Sequence, residues 1–182
     1  MFTFIELCAG TAAVSLRLHH PRARPPVSRM GAKTGYADAI LRVLGLRPGQ
    51  GSADRTHYIF CEPDQGVRLL LEAYRDRELA LAAADIIRGW GKSGEEPRAL
   101  WERLRAEGPP KGPEVDPREV ARWVLGGVWS YRQGEVASGF IGPGQRRQDT
   151  TATATALSLA PTLPATITDD ARKVDPREVA RW

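Results

Sequence analysis

The sequence of 182 residues contains little cysteine and histidine and no long apolar run. No stretch approaches the ~20 apolar residues that cross a bilayer, and no basic region precedes the first apolar residues, as it would in a secretory leader. The two cysteines, Cys8 and Cys61, fall in predicted strands, and three histidines are too few to favour a zinc site. We therefore expect a cytoplasmic protein that binds no membrane and no metal.

The net charge of the chain excludes fewer functions than its low content of cysteine, histidine and apolar runs does. The chain has 26 Lys and Arg residues against 22 Asp and Glu, a formal net charge of +4, and most of the bases are Arg. A guanidinium group pairs well with phosphate, so this composition permits DNA as a partner. The imbalance is small, and charge alone favours the alternative, which is a solvated Arg-rich surface on an ordinary enzyme. The length suits one domain with a substantial core.

Residues 4–16 (FIELCAGTAAVSL) predict a strand, a tight turn and a helix. Phe4, Ile5 and Leu7 suit a buried strand, and Gly10 lets a ligand approach the backbone of the turn. The amide groups at the start of the following helix would face that ligand. One glycine is a weak signal, however, and an ordinary strand–turn–helix with a packing glycine explains the same residues.

The order of these residues resembles motif I of S-adenosylmethionine-dependent DNA methyltransferases, whose form is roughly F-x-D-x-F-x-G-x-G. Glu6 stands for the usual Asp, Cys8 for Phe, and Ala12 or Ala13 for the second glycine. A second segment, PVSRMGAK at 26–33, resembles motif X of the D12 class of adenine-specific DNA methyltransferases. It follows motif I rather than preceding it, an arrangement closest to phage-type DNA methylases. The resemblance implies an S-adenosylmethionine site formed by Glu6, Leu7, Cys8, Ala9, Gly10, Thr11, Gly31 and Lys33.

A further acid, Glu62, follows a strand predicted over 58–61. At the carboxyl end of that strand, its carboxylate can accept hydrogen bonds from both ribose hydroxyls of a bound nucleoside. Its distance from Gly10 is longer than the usual ~20 residues, and the inserted segment that resembles motif X explains the difference. The alternative is a surface acid that caps the next helix, although Asp64 is the better cap candidate.

The resemblance implies an α/β, Rossmann-like methyltransferase fold and methyl transfer to N6 of adenine in DNA. Such enzymes carry a D-P-P-Y-type loop, which accepts the protons of the amine and stacks on the flipped base. The two Pro-Pro pairs of this chain, at 25–26 and 109–110, continue into Val27 and Lys111 and do not fit. We therefore expect an N-terminal part that does not turn over alone. The alternative is a degenerate, non-catalytic relative that acts as a DNA-binding or assembly module.

An aromatic and basic cluster is a candidate nucleic-acid contact, formed by Arg122, Trp129, Tyr131 and Arg132. Aromatic rings can stack on bases, and guanidinium groups can hold phosphate. The alternative, which the pattern favours, is a helix that packs its tryptophans into the core and turns its arginines toward solvent.

The chain divides into three predicted regions. Residues 1–140 form the cofactor-binding domain, with helices over 34–44, 66–87, 97–107 and 116–131, and residues 141–173 form an extended, low-complexity linker. Residues 174–182 repeat the sequence VDPREVARW of 115–123, in which an Asp cap and a first-turn Pro predict a helix start. Because the second copy ends with the chain, we expect a truncation inside a helix. The oligomeric state is left open.

Overall fold

Three short parallel strands are separated along the chain by helices. The computed structural model describes residues 2–7, 9–27, 33–108, 115–130, 140 and 149–174. The strands are β1 (Thr3–Leu7), β2 (His57–Cys61) and β3 (Ala165–Thr168). The helices, in chain order, are α1 (Ala13–His19), α2 (Ala37–Val43), α3 (Gln50–Ala53), α4 (Gln65–Arg75), α5 (Arg77–Lys92), α6 (Pro97–Ala106), α7 (Pro117–Trp129) and α8 (Thr150–Ser158), with 3₁₀ turns at Lys33–Gly35 and Ala171–Lys173.

The strands form one parallel sheet in the order β1-β2-β3. Phe4 pairs with Tyr58, and Tyr58 pairs with Ala165. Parallel neighbours need a crossover connection, and helices lie in both connections here. The chain is therefore a mixed α/β protein in which the carboxyl ends of all three strands meet at one edge.

The first crossover contains α1, α2 and α3 and packs closely against β2. Tyr58 of β2 is fully buried, and its hydroxyl lies 3.3 Å from Nδ1 of His19 at the end of α1. Gly51 of α3 lies against the same hydroxyl, since a Cβ at that position would come within 2.3 Å of it. A larger residue there would push α3 away from the sheet.

Helix α7 is the centre of the helical part, because every residue from 120 to 129 is buried. Its start agrees with the prediction: Asp116 accepts a hydrogen bond from the backbone N–H of Arg118, and Pro117 occupies the first turn. Gly66 lets α4 approach α7, since a Cβ there would lie 1.8 Å from Nε1 of Trp123. Within the described residues, the predicted helix and its apolar packing are confirmed.

One predicted helix is two helices. The prediction of a single helix over 66–87 is wrong, because Asp76 has extended backbone angles and separates α4 from α5. Its carboxylate caps α5 by accepting hydrogen bonds from the backbone N–H groups of Glu78 and Leu79. The cap satisfies donors at the new helix start, which offsets the interruption.

The region predicted as an extended linker also differs from the prediction. Residues 149–168 contain α8 and β3, and Asp149 caps α8 through the backbone N–H of Ala152. Helix α8 packs on α5 at Gly91, where a Cβ would come within 2.2 Å of Oγ1 of Thr150. Small side chains therefore serve close helix packing here. Residues 141–148, and 175–182 of the second repeat (174–182), lie outside the described residues.

The turn after β1 contains two residues with left-handed backbone. Gly10 has φ +53°, and Ala12 has φ +51° although it carries a Cβ. A left-handed conformation costs an L-residue roughly 1–2 kcal/mol, whereas glycine adopts it freely. Ala12 thus has a backbone geometry typical of the glycine that the resembling motif carries at this point.

Replacing Ala12 by glycine should therefore cost little stability. Ala84 in the middle of α5 is an equally buried control, and both Ala→Gly variants lose one methyl group from the core. Ala84→Gly also loses about 1 kcal/mol of helix propensity, while Ala12→Gly recovers about 1 kcal/mol of strain. We expect urea unfolding to separate the two variants by about 2 kcal/mol. Equal losses would show that the left-handed turn is not strained.

Candidate functional site

The side chain of Glu62 joins the ends of β1 and β2. Its Oε2 accepts a hydrogen bond of 2.7 Å from the backbone N–H of Gly10, and its Oε1 accepts one of 3.1 Å from the N–H of Asp64. Glu62 is 7% exposed. Each carboxylate oxygen has a second lone pair, so the group keeps acceptor capacity for a hydroxyl ligand. The prediction that Glu62 lies at the carboxyl end of β2 is confirmed.

Several backbone contacts hold Glu62 in position. Its N–H donates to the carbonyl of Thr168 at the end of β3. Arg68 of α4 donates from Nη1 to the carbonyls of Glu62 and Pro63, at 3.0 and 2.6 Å. Asp64 caps α4 by accepting from the N–H of Val67, as predicted. The acid is therefore fixed by β3 on one side and by α4 on the other.

Glu6 is a buried carboxylate at the carboxyl end of β1. Its Oε2 accepts hydrogen bonds from the backbone N–H and the hydroxyl of Ser15, at 3.1 and 2.6 Å. Its Oε1 lies 3.6 Å from Nζ of Lys33 and accepts no hydrogen bond within the described residues. Burial raises the pKa of Glu6, and the Ser15 hydrogen bonds and the charge of Lys33 partly oppose that rise.

Lys33 brings the second predicted motif to the end of β1. It begins the 3₁₀ turn Lys33–Gly35, and its side chain is 31% exposed. Two residues that the sequence assigned to one site, Glu6 and Lys33, therefore face each other. Gly31, the other residue predicted from this motif, lies outside the described residues.

The remaining predicted residues of the first motif have different exposures. Leu7 is 57% exposed, whereas Ala9 is buried and forms a backbone hydrogen bond to Cys61. Thr11 is fully buried, and its hydroxyl has no hydrogen-bond partner among the described residues. Cys8 lies outside the described residues. The turn therefore contains one exposed apolar side chain and one unsatisfied hydroxyl.

The predicted nucleic-acid cluster is largely interior where the structure describes it. Arg122 and Trp129 are each 2% exposed. The guanidinium group of Arg122 donates to the carbonyls of Leu104 and Gly108 and pairs with Glu119. This geometry supports the packing alternative for both residues, although Arg122 itself lies in the core instead of facing solvent. Tyr131 and Arg132 lie outside the described residues.

Sequence reasoning missed two residues that organise the site. Ser15 is the one polar residue among the apolar residues that open α1, and that position in the pattern is a signal for a buried partner. Arg68 holds two consecutive carbonyls beside Glu62, and nothing in its local sequence marks that role. Both act on the predicted acids by hydrogen bonding.

Across the described residues, helices that are both long and apolar enough to cross a membrane are not found. In the same part of the chain, no cluster of three or more His, Cys, Asp or Glu side chains has the arrangement of a metal site.

No protein family, curated protein or solved structure matches this chain. At the strand ends, a left-handed glycine turn, two buried acids and a lysine lie at one edge of a parallel sheet.

The raised pKa of Glu6 predicts how stability changes with pH. The folded protein holds the Glu6 proton more tightly than the unfolded chain, so stability should fall as pH rises above the ordinary value of 4.5 until the folded-state pKa is passed. In Glu6→Gln this contribution disappears, and the free energy of unfolding should depend less on pH in that window. Chemical denaturation at a series of pH values measures the effect. Glu102→Gln, at an exposed site, is the control and should keep the wild-type slope. A Glu6→Gln profile parallel to wild type would exclude Glu6 as the cause.

Proposed function

We propose that this chain is the cofactor-binding part of an S-adenosylmethionine-dependent DNA methyltransferase that acts on N6 of adenine, with a Rossmann-like sheet. The observation that carries the proposal is the contact between Gly10 and Glu62, 52 residues apart in sequence. A glycine turn after one strand and an acid after the neighbouring parallel strand form the usual nucleoside site of open α/β sheets.

The residues present fit the nucleoside part of the cofactor. Gly10 has no side chain at the turn, so a ligand can approach its backbone. Glu62 has acceptor lone pairs left for the two ribose hydroxyls, and the contacts of Arg68 and Thr168 keep its backbone in place. Lys33, beside Glu6, would face the methionine end of the molecule. The cofactor supplies an electrophilic methyl group when bound.

The sequence contains no D-P-P-Y-type loop, so we propose for this chain the binding of the cofactor and not the transfer of the methyl group. Glu6 and Glu62 are both held by backbone N–H donors and are suited to positioning. A D-P-P-Y-type motif, which would accept the protons of the adenine amine, does not occur in the sequence. The same absence favours a second candidate function, a non-catalytic relative that binds DNA or assembles with a partner.

Removal of the Glu62 carboxylate should weaken binding of S-adenosylmethionine. The expected loss for Glu62→Ala is roughly 1.5–3 kcal/mol, the usual size of hydrogen bonds to a charged group. Isothermal titration calorimetry measures it. Adenosine and 2′-deoxyadenosine provide a sharper probe, because the variant should lose the preference for the ribose compound.

Asp64→Ala is the matched control for this experiment. Asp64 is two residues away and caps α4, so its loss should cost about 1 kcal/mol of stability and leave cofactor affinity unchanged. The opposite pattern would make Asp64 the ligand. If the wild-type chain fails to bind S-adenosylmethionine under conditions in which it is folded, the proposed function is wrong.

The chain alone should not transfer a methyl group. Because the amine-contacting loop is missing, labelled S-adenosylmethionine should yield no labelled adenine in duplex DNA, even at saturating cofactor. Scintillation counting of the recovered DNA checks this. Sustained transfer would show that other residues of this chain perform the reaction.

A further inference from the structure

The positive charge of the chain is concentrated in the first crossover. Between Glu6 and Glu62 the sequence contains eight Arg and Lys residues and two Asp, a formal charge of +6. The whole chain carries +4, so the remainder is slightly acidic. The crossover thus has the charge of a polyanion-binding surface, although the net charge of the whole chain is small.

The structure gathers several of these charges around α1 and α2. The α1–α2 basic surface consists of Arg17, Arg22, Arg24, Arg42 and Arg47, of which all but Arg17 are exposed. The loops that carry them are contiguous: the N–H of Gly49 donates to the carbonyl of Arg17, and a Cβ on Gly49 would lie 2.9 Å from Pro21.

A single acid, Asp38, lies at the centre of this surface. Arg17 donates to both its carboxylate oxygens, at 2.6 and 3.0 Å. The charges of Arg42 and Arg24 add to those of Arg17 in lowering the pKa of Asp38. Within the described residues, Arg24 and Arg42 form no ion pair of their own. Arg17 is paired with Asp38, and the charges of Arg24 and Arg42 act on the same carboxylate from farther away, so the three guanidinium groups leave an excess of two positive charges over this acid.

A cavity of about 310 Å³ opens between α1, the loop at 23–25 and α2. Arg17, Arg24 and Asp38 line it, together with Thr34, whose hydroxyl has no hydrogen-bond partner among the described residues. A water takes up about 30 Å³ in the liquid, so the cavity has room for a hydrated phosphate group. The guanidinium group of Arg24 is a suitable donor for phosphate oxygens there, whereas the Thr34 hydroxyl is buried and Arg17 is paired with Asp38.

An exposed aromatic residue is adjacent in sequence to residues that line this cavity. Tyr36 lies between the lining residues Gly35 and Ala37 and is 71% exposed. An exposed ring beside guanidinium groups is typical of surfaces that bind nucleic acid, where the ring stacks on a base. This feature favours nucleic acid over an acidic peptide, for which the charges alone would suffice.

We propose that the α1–α2 basic surface is where this protein contacts the DNA backbone, with phosphates held by Arg24 at the cavity and by the exposed Arg42 of α2. The identity of the partner as DNA rests on the proposed function, whereas the location rests on the charges and the cavity. The proposal moves the nucleic-acid contact away from α7, where Arg122 and Trp129 are buried.

The test is a salt titration of DNA binding by the full chain. Fluorescence anisotropy with a short labelled duplex gives the slope of log K against log salt concentration. In the double variant Arg24→Ala/Arg42→Ala, the slope should fall by about two in magnitude, and affinity at low salt should fall on the order of tenfold. Lys92→Ala/Arg172→Ala removes the same charge from exposed sites elsewhere and should change both quantities much less.

Asp38→Asn gives a test in the opposite direction. It removes the one acid of the surface, so DNA binding should tighten and the slope should steepen by about one. A gain of affinity cannot result from misfolding. Equal losses in the two double variants would show that binding depends on overall charge. No effect of Asp38→Asn would show that DNA does not contact this surface, and either result would overturn the proposal.

Other polyanions separate the remaining alternatives. If polyglutamate binds as tightly as DNA, the partner is an acidic protein. If phosphatidylserine vesicles bind and DNA does not, the partner is a membrane. Either result would overturn the proposal. Calorimetry with S-adenosylmethionine on Arg24→Ala/Arg42→Ala tests the proposed function separately, because cofactor affinity should be unchanged there. If wild type binds DNA through this surface but no cofactor, the proposed function fails and this inference stands.

Discussion

The hydrogen bond between the Glu62 carboxylate and the backbone of Gly10 is the contact on which the edge of the sheet depends. It is a charge-assisted bond of 2.7 Å between segments that the sequence separates by 52 residues. The turn after β1 has left-handed residues, and Ala12 at the start of α1 has no side-chain acceptor. Acids at the strand ends accept instead: Glu6 takes the N–H of Ser15 in the first turn of α1, and Glu62 from the neighbouring strand takes the N–H of Gly10 in the turn itself.

Two charged side chains in the interior are accommodated in different ways. The guanidinium nitrogens Nη1 and Nη2 of Arg122 donate to carbonyl and carboxylate oxygens at the junction of α6 and α7, while its Nε lies 3.8 Å from Glu107 and has no hydrogen-bond partner among the described residues. Glu6 has one oxygen fully bonded by Ser15 and the other facing Lys33 beyond hydrogen-bond distance. The incompletely paired acid is the one at the candidate site, where burial raises its pKa.

The features predicted most accurately from the sequence are those that a few neighbouring residues control. The caps at Asp64 and Asp116 and the strand before Glu62 depend on a few adjacent residues, and the structure agrees with each of them. The break at Asp76 was missed because apolar periodicity continues through it, although a capping Asp is a visible signal. Strand β3 could not be predicted, because a Thr- and Ala-rich segment becomes a strand only when a neighbouring strand is available.

The candidate site was partly predictable for the same reason. Glu6, Gly10 and Glu62 follow apolar runs, and strand ends of a parallel sheet meet at one edge whatever the loops between them. The role of Arg68 depends on tertiary placement alone. The interior position of Arg122 also depends on tertiary packing, because a helix buried on all sides leaves no solvent-facing side for an arginine.

The position of β3 has a consequence for how the sheet assembles. Tyr58 and Ala165 are about twice as far apart in sequence as Phe4 and Tyr58, and doubling a loop adds only ~0.6 kcal/mol of closure entropy. Stability is therefore nearly indifferent to the long connection. The rate of folding is not, because contacts between distant residues slow the search for the native topology. During synthesis, β2 exists without its second neighbour until helices α4 to α8 of the described residues have been made, and its outer edge is open to other strands throughout that interval.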